Sequence, residues 1–543
     1  MSYIQPHRQF TIKAWIGLSI IPALLFISAM VLTAMHGPYY LSHNFDPEYA
    51  YLLNSLNLLL GKGPGHTDHP GTSVQIVGAA VVGIRYGLDR VLGITGDGLV
   101  TAVLSHPESY LKSINLFLNF LIAVGSFLVG YRVFYFSGYW LFVIVLQIVP
   151  YLFVTTLMAT TRVMPEPFML FITYGLVFFL LPFIFNRTYR IQTNRDSVFL
   201  GAILGLGVVT KVTFLPLVLL LWLPDTLKRK FYAFVSMVLT FLLITLPIWD
   251  KYVRMAQWWT RIATHNGRYG KGEAGIGDLE ELIHNLFGLI VSEPIFFIII
   301  SILIGGGCVL FWQRRNIKDV VVRRNFLVVV FLFIIIILGQ TALTIKHPPI
   351  HYAFPSMGIA GLMLVLLLSA PIEISGTMNK LISYGAWIFL VGAIGITAVK
   401  ANEQIIIAQN SMNNVEYLKN LQVDSYPDCT VAYYYRSSNV SHALDFGNSY
   451  AASNFGEKLE EIYSNELFYH IFAQKFQTFT THLEISEMEM KLANGECILM
   501  QGTPFVGDKE KFVTSLILER LDENVATETL YQLIGFKHDD TNS

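Results

Sequence analysis

Charge is what this chain has least of: of its 543 residues, 53% are hydrophobic and only 14% are charged. Soluble globular proteins average about 25% charged residues, so a soluble class is excluded and a polytopic membrane protein is expected. Cysteine is almost as scarce, and three residues are too few for a disulfide scaffold. Cys308 falls in an apolar run and reads as packing. Cys429 ("DCTVAYYY") and Cys497 ("ECILMQG") each open a strand-like run, which leaves a bridge between them open in an oxidising compartment. No internal repeat or low-complexity tract stands out, which argues against a transporter built from duplicated halves. No cleavable leader is evident either: the apolar run from Trp15 to Met35 follows Arg8 and Lys13 and reads as a retained anchor.

The charge that is present is unevenly placed. Residues 401–543 hold 9 Lys/Arg against 21 Asp/Glu, whereas residues 1–400 hold 28 against 17. A basic membrane domain (1–400) is thereby set apart from an acidic tail (401–543). Strand-like runs at 430–435 and 497–501, with a helical pattern over 456–476, predict a small α/β fold for that tail. Spans need about 20 apolar residues each, and candidates begin near residues 15, 111, 141, 166, 231, 289, 325, 352 and 381. Basic residues gather in three connectors: Arg187, Arg190 and Arg195; Lys228, Arg229 and Lys230; and Arg314, Arg315, Lys318, Arg323 and Arg324. The positive-inside rule puts all three in the cytoplasm.

Two stretches are decided by that rule. "TSVQIVGAAVVGIRYGLDR" (72–90) is short and carries Arg85 and Arg90; as a span it would turn every basic connector outward, so it reads as a helix on the outer surface. The apolar stretch 197–224 lies between two inside-facing clusters, yet has room for only two helices of some 20 Å. The chain should dip in and return, with Lys211 near the apex. A lysine at membrane depth costs roughly 2.5–3.5 kcal/mol and needs a partner or a wet cavity; snorkelling to the interface is the plainer alternative. Counting the dip as two, about eleven crossings leave the amino end cytoplasmic and the tail extracytoplasmic.

The most polar stretch, "HNFDPEYAYLLNSLNLLLGKGPGHTDHPGT" (43–72), directly follows the first span. Tyr49, Leu52, Leu53, Leu56, Leu59 and Leu60 recur at helical spacing, with Asn54, Ser55 and Asn57 opposite, which predicts an amphipathic helix at the membrane surface. Asp46 as cap, Pro47 at the first position and Glu48 in the first turn would be ordinary helix-start chemistry.

The order of features resembles the GT-C integral-membrane glycosyltransferases, in the branch of the protein O-mannosyltransferases and lipid A aminoarabinose transferases. "FDPEYAYLLNSLNLL" stands in the place of that family's first-loop acidic motif, and "TDHPGTSVQ" where it often has Lys-Pro-Pro. "TRVMPEPFMLFITYGL", "LGLGVVTKVTFLPLVL" and "KHPPIHYAFPSMGIAGLML" are similar to its Arg-x-x-x-x-Glu span entry, its Thr-Lys segment and its late Tyr- and Pro-rich loop. His69 replaces the expected lysine, and Pro47 separates acidic residues that are often adjacent. The fold implied is mostly α and GT-C-like, with about eleven transmembrane helices, interfacial helices in the first external loop, and a small C-terminal α/β domain outside.

The resemblance implies a hexosyl- or pentosyltransferase that moves a sugar from a polyprenyl-phosphate donor to a lipid, glycan or protein hydroxyl. The setting is the outer face of a membrane, with a bacterial cytoplasmic membrane preferred; nucleic acid is not an expected partner. A hydroxyl nucleophile wants a carboxylate base, and a phosphate leaving group wants cations. One carboxylate with cations suits inverting displacement, unlike the carboxyl pair of glycoside hydrolases. Asp46 is assigned as base with Glu48 as fallback, and Lys211, Arg268 and Lys346 as donor-phosphate ligands. His69, Arg162, Glu166, His347, His351 and Tyr352 are assigned to site architecture, with Arg162 and Glu166 spaced to pair with each other. No cofactor is required; Asp68, His69 and His265 are where relatives sometimes hold a divalent ion, although no ligand spacing demands one. Two other classes compete: a transporter or flippase of lipid-linked sugars, and a membrane scaffold whose acidic tail binds envelope components. For sidedness, a topology reporter fused after residue 400 should read extracytoplasmic; a cytoplasmic signal overturns the assignment.

Overall fold

The computed structural model describes residues 11–41, 46–67, 70–266, 272–275, 277–312, 319–347, 350–375, 380–506, 513–522 and 527–537. Among them, seven helices are long and apolar enough to cross a membrane: Ile12–His36, Pro107–Ser137, Pro165–Phe185, Pro294–Trp312, Val320–Lys346, Ile350–Ser369 and Ser383–Ser425. Leu227–Ile244 and Leu246–Thr264, bent by 85°, make an eighth if counted as one span. Pro247 lies at this bend, where a ring without an N–H interrupts the helical ladder. The other expected crossings fall on shorter apolar helices, at Trp140–Leu152 and within the excursion near Lys211.

That excursion goes out and comes back. The helix Asn194–Thr210 starts at Thr193, whose hydroxyl accepts the Asp196 N–H at 3.0 Å, and it ends at Lys211, whose backbone is extended. A 3-10 helix, Val212–Trp222, returns the chain. Its two ends lie side by side: Ile191 N–H donates to the Leu223 carbonyl and Asp225 N–H to the Ile191 carbonyl, both at 3.2 Å. Lys211 therefore sits at the turn, where the length argument put it. Gly201 allows the outgoing helix to lie against Leu227–Ile244, since a Cβ there would stand 2.0 Å from the Ala233 carbonyl oxygen.

The chain divides into two compact units, one of residues 1–31, 67–74 and 115–402, the other of residues 32–66, 75–114 and 403–543. Among the described residues the first is mostly helical, and its buried amides donate to backbone carbonyls of neighbouring helices. Gln147 Nε2 donates to Leu18 and Ser126 carbonyls at 3.1 and 3.3 Å, and Asn119 Nδ2 to the Thr160 carbonyl at 2.8 Å. Where water is excluded, such bonds replace hydration that would otherwise be lost.

The second unit carries a seven-stranded sheet of order β4-β3-β2-β1-β5-β7-β6. Its strands are β1 (Thr430–Tyr434), β2 (Leu467–His470), β3 (Lys475–Gln477), β4 (His482–Leu483), β5 (Ile498–Gly502), β6 (Leu516–Arg520) and β7 (Thr529–Phe536). β1 runs parallel to both β2 and β5, and the remaining pairs are antiparallel. Thr430 pairs with Ile498, and the residues just ahead of them, Cys429 and Cys497, are joined in a disulfide. The helix expected over 456–476 is shorter: Gly456–Ile462 is helical, Asn465 adopts a left-handed conformation (φ 69°), and the aromatic run that follows becomes β2. Aromatic residues pack better on a pleated sheet, and asparagine tolerates the break.

The first-loop helix is Glu48–Leu59, with Pro47 rather than Asp46 at its cap. Its polar side corrects the surface-helix expectation: Asn54, Ser55 and Asn57 are buried, not turned to water. Asn54 Nδ2 donates to the Tyr450 carbonyl at 3.1 Å and Asn57 Nδ2 to the Ala451 carbonyl at 3.0 Å, at the end of the tail helix Val440–Tyr450. Asn454 Nδ2 donates in turn to Asn57 Oδ1 at 3.0 Å, and Gly65 N–H to Asn54 Oδ1 at 2.6 Å. The helices meet closely at Gly447, where a Cβ would lie 2.8 Å from the Tyr49 carbonyl oxygen. Asn57→Ala strands a buried carbonyl and an amide, and should lower stability by about 1–3 kcal/mol. Gly447→Val should do more damage. Unfolding midpoints of the purified chain that match wild type for both variants would refute the seam.

Candidate functional site

The expected site residues fall in both units. In the first unit, Lys211 Nζ lies 2.5 Å from Glu166 Oε1, and both side chains are buried, at 3% and 0% exposure. Among the described residues Glu166 Oε2 has no hydrogen-bond partner. The fold thus gives Glu166 a different cation from the Arg162 that its spacing suggested. Glu166 stands in the first turn of Pro165–Phe185, where Pro165 fits the first position and a carboxylate suits the positive helix end.

The surroundings of Lys211 are tied down from several sides. Ser73 Oγ, at the start of the helix Thr72–Val91, lies 2.8 Å from Thr210 Oγ1. Gln340 Nε2 donates to the carbonyls of Thr213 at 3.1 Å and Tyr352 at 2.5 Å, and the Tyr352 ring lies 5.1 Å from the Lys211 ammonium. The Arg162 carbonyl accepts from Asn115 Nδ2 at 3.2 Å, and the side chain of Arg162 is half-buried.

Next to this cluster lies a cavity of about 600 Å³, lined by Thr213, Trp258, Trp259, Lys346, His347 and Tyr352 among mostly apolar neighbours. Lys346 Nζ donates to the Ala263 carbonyl at 2.6 Å. His347 Nε2 lies 2.9 Å from the Ile262 carbonyl, which can only accept, so the proton is on Nε2, and Nδ1, which has no partner among the described residues, is the acceptor. Burial pushes the His347 imidazole below its ordinary pKa, against the Ile262 hydrogen bond that raises it. His351 packs edge-on against Tyr352 with ring centroids 4.8 Å apart. His265 ends the helix Tyr252–Thr264, its Nδ1 2.9 Å from Thr264 Oγ1. Asp68, His69 and Arg268 lie outside the described residues, and among the described residues no group of three metal-ligating side chains is gathered.

In the second unit Asp46 is exposed and Glu48 fully buried. A third carboxylate, which sequence reasoning missed, stands in the first turn of the helix Pro107–Ser137 and is tied to the same helix as Glu48. Glu108 accepts the Tyr39 N–H at 3.0 Å and the Tyr49 hydroxyl at 2.9 Å, and so fastens the first turn of the Glu48–Leu59 helix. Its only sequence signal is a glutamate after a proline, which reads as a helix start. In the tail helix Val440–Tyr450, His442 is buried and Asp445 half-buried. Burial pushes the Asp445 carboxyl up to about 7 and the His442 imidazole down to about 3.

No family model matches the chain, and no curated protein matches it. Among solved structures it is similar to ArnT from Cupriavidus metallidurans, crystallised with undecaprenyl phosphate. Identity is 9% and the TM-score 0.49, over 96% of this chain and 98% of that one. At that identity and score the likeness carries no functional argument.

The buried pair makes its own test. Removing one partner from a buried ion pair costs about 3–5 kcal/mol, whereas an apolar replacement of both is often near neutral. Glu166→Leu and Lys211→Met should therefore each lower the unfolding midpoint in detergent well below that of the double variant. A double variant as unstable as the two losses summed would show that the charges are not coupled.

Proposed function

We propose that this chain is a membrane glycosyltransferase that moves a sugar from a polyprenyl-phosphate donor to an acceptor hydroxyl on the outer face, with inversion. The observation that carries the reading is the Lys211–Glu166 pair, buried at the turn of a returning apolar excursion. It adjoins a 600 Å³ aromatic and apolar cavity edged by Lys346 and His347. A polyprenyl chain needs apolar walls, and its phosphate needs cations. Glu166 offsets the burial of the lysine and fixes its direction, leaving further ammonium N–H groups for a phosphate oxygen. Lys346 and Arg268 are assigned to the same anion, with Arg162, His69, His347, His351 and Tyr352 around it.

Asp46 is the proposed base. It is exposed where Glu48 is buried, so an acceptor from water or membrane surface reaches it first. Asp46 takes the acceptor proton and the acceptor oxygen bonds to the anomeric carbon. The bond from that carbon to the phosphate oxygen breaks, and polyprenyl phosphate leaves with the electron pair. No cofactor is assigned to this step; Asp68 and His265 are the residues to examine if a divalent ion is required. The Cys429–Cys497 disulfide supports an oxidising side for the tail. A bacterial cytoplasmic membrane with the amino end inside is the proposed setting.

The purified chain, mixed with a panel of radiolabelled carrier-linked sugars and membrane acceptors, should transfer one of them. Asp46→Asn should slow that transfer by about 10²–10⁴-fold, the usual worth of a general base, with carrier binding retained. Transfer at the wild-type rate by folded Asp46→Asn protein would reject the assignment.

A further inference from the structure

We infer that the chain binds an anionic diacyl phospholipid of the surrounding bilayer in a groove at its basic end, independently of any donor site. The return from the Lys211 excursion meets the helix Leu227–Ile244 in an open groove of about 610 Å³. Leu221, Trp222, Leu227, Phe231 and Phe234 form its apolar walls, and Lys228 and Lys230 stand among them. The long side chains on this face are outward: Trp222 is 60% exposed, Leu227 84% and Phe231 60%. Such a surface suits acyl chains, and tryptophan beside lysine marks the boundary between hydrocarbon and water.

The two lysines are held by ring faces. Lys230 Nζ lies 4.1 Å from the Trp222 ring centroid and Lys228 Nζ 5.7 Å from that of Tyr232. Cation–π contact orients an ammonium without consuming its N–H donors as a carboxylate would. The carboxylate of this connector, Asp225, is taken by Arg229 in a two-oxygen pair at 2.6 and 2.9 Å. In the sequence, the other two basic connectors hold eight more Lys/Arg against Asp196 and Asp319, and Arg190 reaches the groove, donating to the Trp222 carbonyl at 2.6 Å. Burial, then the like charge of Arg324, lowers the pKa of Arg190. The groove thus has apolar walls and two oriented ammoniums. An anionic headgroup matches it, whereas a zwitterionic one brings its own cation; basic pockets between helices are a known form of anionic-lipid site.

The test uses the full chain in detergent, titrated with dioleoylphosphatidylglycerol or dioleoylphosphatidylcholine and read by native mass spectrometry. The phosphatidylglycerol should bind at least about tenfold tighter than the phosphatidylcholine. Lys228→Gln/Lys230→Gln should abolish that preference, and Arg195→Gln/Arg323→Gln, which removes the same charge outside the groove, should leave it within about twofold. A preference that survives the lysine double variant overturns the site. So does equal loss in both double variants, which would mean a diffuse field. If the lysine double variant does not fold, Lys230→Gln alone decides: a fall of about fivefold is expected, and wild-type binding rejects the inference.

Discussion

A charge that cannot reach water must find its opposite, and the contact between Lys211 and Glu166 is where this fold meets that demand. The apolar excursion from 194 to 222 can turn around at a lysine only because a carboxylate is there to receive it. The return path is then fixed by Gln340, which holds the carbonyls on either side of the cavity wall, at Thr213 and Tyr352. The cavity, its indole walls and its cationic edge inherit their positions from that turn. A single neutralised pair thereby organises a region that composition alone would describe only as greasy.

The second unit solves a milder form of the same problem with amides. The Glu48–Leu59 helix buries both of its sides: leucines and tyrosines on one, and Asn54, Ser55 and Asn57 on the other. Backbone carbonyls at the end of the Val440–Tyr450 helix satisfy the asparagines. In the same tail, the sheet is pinned between β1 and β5 by the Cys429–Cys497 bridge. The proposed base, Asp46, immediately precedes the Pro47 cap of the Glu48–Leu59 helix.

What the sequence discloses follows from how local each physical cause is. The seven long apolar helices and the turn at Lys211 are legible because they depend on runs and lengths within a few tens of residues. Strands at 430–435 and 497–501 were legible for the same reason. The partner of Glu166 was not: a spacing of four favoured Arg162, and nothing local points 45 residues on to Lys211. Asn54 and Asn57 were assigned to water because an amide that faces solvent and one that faces a distant carbonyl have the same pattern. The helical rhythm of Gly456–Ile462 carried too far into "LFYH", where sheet pairing won. Glu108 was passed over because its role lies in what it accepts, not in its neighbours.

The asparagine seam also has a temporal side. Its two halves are 396 and 394 residues apart in the chain. At synthesis rates of roughly 5–20 residues per second, Asn54 and Asn57 leave the ribosome about 20–80 s before the carbonyls that will receive them. During that interval the Asn57 amide and one Asn54 donor lack their native acceptors, while the local bonds of Asn54 to the Ala50 carbonyl and the Gly65 N–H can already form. Maturation of the proposed base must therefore be among the last events in biogenesis, and a ribosome stalled before residue 450 would release a chain whose membrane part is threaded but whose first loop is still unfinished.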